Sequence, residues 1–161
     1  MRNKNAGWRR GVAMAALLTG LGVAGGVAAG ELESLMGIGL DVRNPEISAK
    51  FYRDALGFEV ARRIPEGSAT PKTIAMSLSG KADGGLIVLR RAEGPLPPGH
   101  DGFGRVITTT RDGRAAADRI RAAGYRVTRI VDNPNGPGSL EVWTRDPDGY
   151  AIEVFQPPRL P

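Results

Sequence analysis

Residues 37 to 156 repeat themselves, and that repeat restricts the fold more than any other feature of the chain. Gly37-Ile38-Gly39-Leu40-Asp41-Val42-Arg43-Asn44 reads as a strand ending in a helix cap. Arg105-Val106-Ile107-Thr108-Thr109-Thr110-Arg111-Asp112 has the same layout. Asn44 can cap a helix with Pro45 at its first position, and Asp112 can cap a second. Apolar residues then recur at helical spacing, Ile47, Phe51 and Leu56 in one copy and Ala116, Ile120 and Ala123 in the other. Each helix stops at a glycine, Gly57 or Gly124, and an aromatic residue with a strand follows, Phe58-Glu59-Val60 or Tyr125-Arg126-Val127.

The second halves of the copies match too. Thr73 to Ser79 and Ser139 to Thr144 read as strands, Asp83-Gly84 corresponds to Asp148-Gly149, and Leu86 to Leu89 corresponds to Ala151 to Val154. Each copy is therefore predicted as strand, helix and three strands, an α+β arrangement of two βαβββ modules whose first and last strands are neighbours. The stretch 93–102, rich in Pro and Gly, is the linker, and Gly- and Pro-loaded hairpin loops fall at 65–72 and 132–138. Four strands and one helix cannot bury two sheet faces. A pair of such units can, with the helices covering one side and the sheets curling around a shared cleft.

A chain of 161 residues suits one globular domain. Its formal charge of +5 invites a nucleic-acid reading, but four of the 22 basic residues and none of the 17 acidic ones lie in residues 1–30. The rest is close to neutral and has no excess charge for phosphates. Cysteine is absent, which excludes disulfides and thiolate metal sites. Residues 1–30 read as an export signal: a basic segment through Arg10, a soft apolar run from Val12 to Ala29, and small residues at Ala28-Ala29-Gly30 for cleavage. Arg9-Arg10 is compatible with the twin-arginine route, and an uncleaved anchor helix is the competing reading. The expected location is periplasmic or secreted, with no membrane contact after cleavage. Gly20-Leu21-Gly22-Val23-Ala24-Gly25 fits a dinucleotide fingerprint, yet it follows no strand and lies inside the signal.

Near the C-terminus, Asp146-Pro147-Asp148-Gly149 is written for a type I turn. Alternation follows, with Ile152 and Val154 on one face and Ala151, Glu153 and Phe155 on the other. A carboxylate in mid-strand, Glu153, is costly unless it faces a cleft, a partner or a metal.

Phe51-Tyr52-Arg53-Asp54-Ala55-Leu56-Gly57-Phe58 and Asp146-Pro147-Asp148-Gly149-Tyr150-Ala151-Ile152-Glu153 resemble the glyoxalase/bleomycin-resistance/extradiol-dioxygenase group, the vicinal oxygen chelate superfamily. The resemblance runs from Leu35 to Gln156 and implies a domain at 35–157, with module one at about 36–92 and module two at about 104–157. It also implies a half-open barrel around a small-molecule cleft, closed within one chain or across a homodimer. That fold hosts isomerases, dioxygenases, thiol transferases and drug-binding proteins, so it fixes no reaction.

Metal-binding members place ligands on the first and last strands of each module, which here correspond to Gly37, Val88, Arg105 and Glu153. Only Glu153 keeps a donor, and Arg105 brings a permanent positive charge, so the expectation is no metal and no cofactor. Arg105 and Glu153 are expected to pair, with the guanidinium standing where a metal would. Alternation adds Asp41, Arg90, Thr109 and Phe155 to the candidate ligand-binding set, with Leu86 and Ile107 as apolar wall. His100, the one histidine, lies in the linker with no orienting partner. Two readings result: a metal-free module binding a small molecule, or a glyoxalase- or dioxygenase-type enzyme using an atypical ligand set or acid–base chemistry through Asp41 or Glu153.

Overall fold

A computed structural model describes residues 35–96 and 104–158. Residues 1–30, read from sequence as an export signal, and the His100 segment of the linker lie outside the described residues. Module one runs β1 (Gly37–Val42), α1 (Pro45–Leu56), β2 (Glu59–Ile64), β3 (Thr73–Ser77) and β4 (Leu86–Arg91). Module two runs β5 (Val106–Thr109), α2 (Gly113–Ala122), β6 (Val127–Asp132), β7 (Leu140–Arg145) and β8 (Ala151–Gln156). The sheets have the same order, β1-β4-β3-β2 and β5-β8-β7-β6, and neither closes on itself. First and last strands pair in parallel in both, which is the expected βαβββ topology.

Local chemistry sets the helix ends. Asn44 is extended and its side chain accepts from the Glu46 amide at 3.0 Å, with Pro45 opening the helix. Gly57, at φ 80°, ends α1 in the left-handed region where a side chain would be strained. Asp112 caps α2 by accepting from the Ala115 amide at 3.0 Å. One face of each sheet packs on its helix: Leu40, Val42, Ile74, Met76 and Leu89 meet Phe51 and Tyr52, while Val142, Ile152 and Val154 meet Ala117 and Ile120. The other face of each sheet carries the candidate site residues.

One expected core residue is outside. Ile47 is 55% exposed, and α1 buries Ser48, Ala49, Phe51, Tyr52 and Ala55 instead. The reason is the second module, which takes hold of this face through polar groups. Ser48 Oγ donates to Asp148 at 2.8 Å, and the Tyr52 hydroxyl donates to Asp146 at 3.3 Å. Ala116 and Ala123 are likewise only partly buried, and Ala117 and Ile120 are the residues of α2 that reach the core.

The modules dock helix to helix. Arg119 of α2 donates to the Asp54 and Arg53 carbonyls at 3.0 Å each, satisfying the end of α1. Phe51 and Tyr125 meet edge to face with centroids 4.8 Å apart. The Tyr150 hydroxyl donates to the Asp41 carbonyl at 2.9 Å, and Arg43 Nε pairs with Asp148 at 2.8 Å. Among the described residues no helix is long and apolar enough to cross a membrane.

Candidate functional site

On the open face of module two, β8 lies between β5 and β7, with Glu153 opposite Ile107 on one side and Trp143 on the other. Arg105, just before β5, reaches diagonally to hydrogen-bond Glu153 through Nε. The guanidinium also stands 5.2 Å from the centroid of the Trp143 ring, within cation–π range. The pair is asymmetric: the Glu153 side chain is 7% exposed and that of Arg105 is 44% exposed. Trp143 Nε1 donates to Glu141 at 3.1 Å, which fixes the indole beside the ion pair. Phe155 and Thr109 face each other across the same two strands.

Asp41 and Arg90 pair in module one, opposite each other on β1 and β4, through two hydrogen bonds of 2.7 and 2.9 Å. Hydrogen bonding from Arg90 holds the Asp41 carboxyl below its ordinary value. A cavity of about 320 Å³ lined by Asp41, Arg90, Val88 and Tyr150 opens beside them. The six candidate residues therefore fall into two groups, one per module. Thr109 also lines two further cavities, of about 360 and 370 Å³, at the junction of the modules. None of these three cavities is lined by Arg105 or Glu153, which lie on the open sheet face.

Trp143 and Glu141 escape the sequence reading, although the signal is present. Counting strand residues outwards from the Asp146–Gly149 turn places Trp143 opposite Glu153. Asp146 is the second omission. It reads as a turn residue and does accept the Asp148 and Tyr150 amides at 2.9 Å, but it is also buried against Tyr52. Burial pushes its carboxyl up to about 6, and burial together with the Asp146 charge drives the Tyr52 phenol well above its ordinary value.

The four positions to which the resemblance assigns metal ligands, Gly37, Val88, Arg105 and Glu153, do not form a ligand set. A Cβ at Gly37 would stand 2.2 Å from the Leu86 carbonyl oxygen, so a ligating side chain has no room there. Val88 has no donor atom, and Glu153 is already bonded to Arg105, whose charge opposes a cation. Among the described residues no group of three or more His, Cys, Asp or Glu is placed to hold a metal ion.

A probable lactoylglutathione lyase of Vibrio parahaemolyticus is 31% identical over 121 residues, covering 73% of this chain and 86% of that protein. A 55-residue stretch is 38% identical to a lactoylglutathione lyase of Arabidopsis thaliana, and spans 34% of this chain but only 19% of that relative's length. Among solved structures, TnmS3, an antibiotic binding protein from Streptomyces sp. CB03234, has the same fold, with a TM-score of 0.60 at 20% identity over 79% of this chain and 98% of that one. The family model of the Glyoxalase/Bleomycin resistance protein/Dioxygenase superfamily matches residues 35–154, and this chain belongs to that superfamily.

Proposed function

We propose that the protein is an exported, metal-free member of the superfamily that binds a small polar or aromatic molecule on the open face of module two. The observation that carries this reading is the Arg105–Glu153 pair: it stands at two positions that correspond to metal ligands of the family, and no set of three donors is placed for a metal among the described residues. Glu153 is bonded through the Nε of Arg105 and the Arg105 side chain is 44% exposed, so further guanidinium donors remain for a ligand. Trp143 and Phe155 provide apolar and stacking surface around those donors. The likeness to an antibiotic binding protein supports a binding role for this fold.

Lactoylglutathione lyase activity is the second reading, favoured by the Vibrio relative. One experiment separates the two. Elemental analysis of the purified mature protein is run beside a thermal-shift screen of small molecules, with wild type and Arg105→Ala compared. Binding predicts no stoichiometric divalent metal and at least one stabilising compound whose effect disappears in Arg105→Ala. One tightly held divalent metal per chain, with lyase activity lost on chelation, would replace binding by catalysis.

A further inference from the structure

We propose a second ligand site, independent of the first, at the junction of the two modules, shaped for a small amphipathic anion. The cavity there has a volume of about 360 Å³, within the range of small-molecule sites. Ala55, Leu56, Phe58 and Leu78 of module one and Val154 of module two make its apolar wall. Leu78 is 61% exposed, a large apolar side chain left in water at the cavity edge. Exposed Ile107 and Leu35 continue the apolar surface into the adjoining cavity of about 370 Å³, which shares Phe58, Leu78, Thr108 and Thr109 with the first. Such a continuous patch marks a binding surface more than isolated exposed side chains do.

The charge balance selects the ligand. Arg111, Arg119 and Asp112 all line the cavity. Asp112 accepts the Ala115 amide as the cap of α2. Arg119 donates to two backbone carbonyls, so no carboxylate neutralises it. Arg111 is exposed and has no hydrogen-bond or ion-pair partner among the described residues. Two cations against one carboxylate favour an anionic head group, and the wall of Leu56, Phe58 and Leu78 favours an apolar body.

Two fluorescent probes differing by one charge test this: anilinonaphthalenesulfonate, and phenylnaphthylamine, which has the same rings without the sulfonate. Each is titrated into wild type, Arg111→Ala, Leu78→Asp and Arg105→Ala, with circular dichroism confirming that every variant is folded. The sulfonate should bind one per chain, about tenfold more tightly than the neutral probe, since one charge-assisted contact is worth about that factor. Arg111→Ala should remove the difference and leave the neutral probe unchanged, while Leu78→Asp should weaken both. Arg105→Ala, on the other site, should alter neither, so failure of that site leaves this result intact. Equal affinity for the two probes, no response to Arg111→Ala, or several probes per chain without saturation would each overturn the proposal.

Discussion

Arg105 bonds Glu153 although β-sheet register places Ile107, two residues further on, opposite that carboxylate. The guanidinium reaches diagonally from the β5 side to that carboxylate, stands 5.2 Å from the centroid of the Trp143 ring, and leaves Glu153 almost wholly covered. Arg105→Ala therefore strands a carboxylate of low exposure beside an indole. Breaking a fully buried pair costs about 3–5 kcal/mol and an exposed pair about 0–1. Because one partner is buried and the other half-exposed, urea denaturation should show a loss of about 1–3 kcal/mol. Arg105→Met with Glu153→Leu should recover much of it, because no charge is then stranded. A double mutant no more stable than Arg105→Ala would show that the loss lies in packing on Trp143 rather than in the charge.

Two glycines on β1 should respond to alanine with opposite signs. A Cβ at Gly37 would meet the Leu86 carbonyl oxygen at 2.2 Å, whereas at Gly39 nothing lies within 4 Å. Gly37→Ala must push β1 off β4 and should cost about 1–3 kcal/mol. Gly39→Ala restricts the unfolded chain without a clash and should add about 0.4–1 kcal/mol. Chemical denaturation of the two variants side by side checks the signs. An unharmed Gly37→Ala would mean that β1 yields, and that position 37 can accept a ligating side chain after all.

What is legible in the sequence is what local pattern controls. Asn44 with Pro45 announces α1, Gly57 ends it, and alternation in β8 separates Ile152 and Val154 from Glu153. The pairing of Arg105 with Glu153 also follows from topology, because first and last strands adjoin. Contacts between modules are different, since no periodicity within one module records which face its neighbour will take. Ile47 looks like core by spacing, yet Ser48 and Tyr52 face inwards because Asp148 and Asp146 meet them there. The same turn that reads as a simple reversal is the clasp between the halves.

Asp148 is the charged half of that clasp. It accepts from the Arg43 amide at 3.0 Å, from Arg43 Nε at 2.8 Å and from Ser48 at 2.8 Å, while its side chain is only 3% exposed. Asp148→Ala leaves the donors from module one without their acceptor and should cost about 2–3 kcal/mol. Arg43→Ala removes a mostly exposed guanidinium but keeps the amide donor, so it should cost under about 1 kcal/mol. Equal losses in thermal unfolding would show that the ion pair, rather than the buried acceptor, joins the modules.

Asp146 should give the protein a pH dependence opposite to that of an ordinary paired carboxylate. Burial raises its folded-state value from 3.8 to about 6, against the pull of the backbone amides that it accepts. The folded state therefore binds the proton more tightly than the unfolded chain. Its contribution to stability is complete below about pH 4 and is lost as the pH rises through about 6. Between pH 5 and pH 7 the loss amounts to about 1 kcal/mol, since each unit of difference is worth about 1.4 kcal/mol. Asp146→Asn keeps an oxygen for the Asp148 and Tyr150 amides but cannot titrate. Urea denaturation at the two pH values should thus show wild type losing about 1 kcal/mol more than Asp146→Asn on going from pH 5 to pH 7. The Asp41 carboxyl, held low by Arg90, titrates below this window and leaves the comparison clean. If both proteins change alike, Asp146 is ionised throughout, and the Tyr52 hydroxyl donates to a full carboxylate within the clasp.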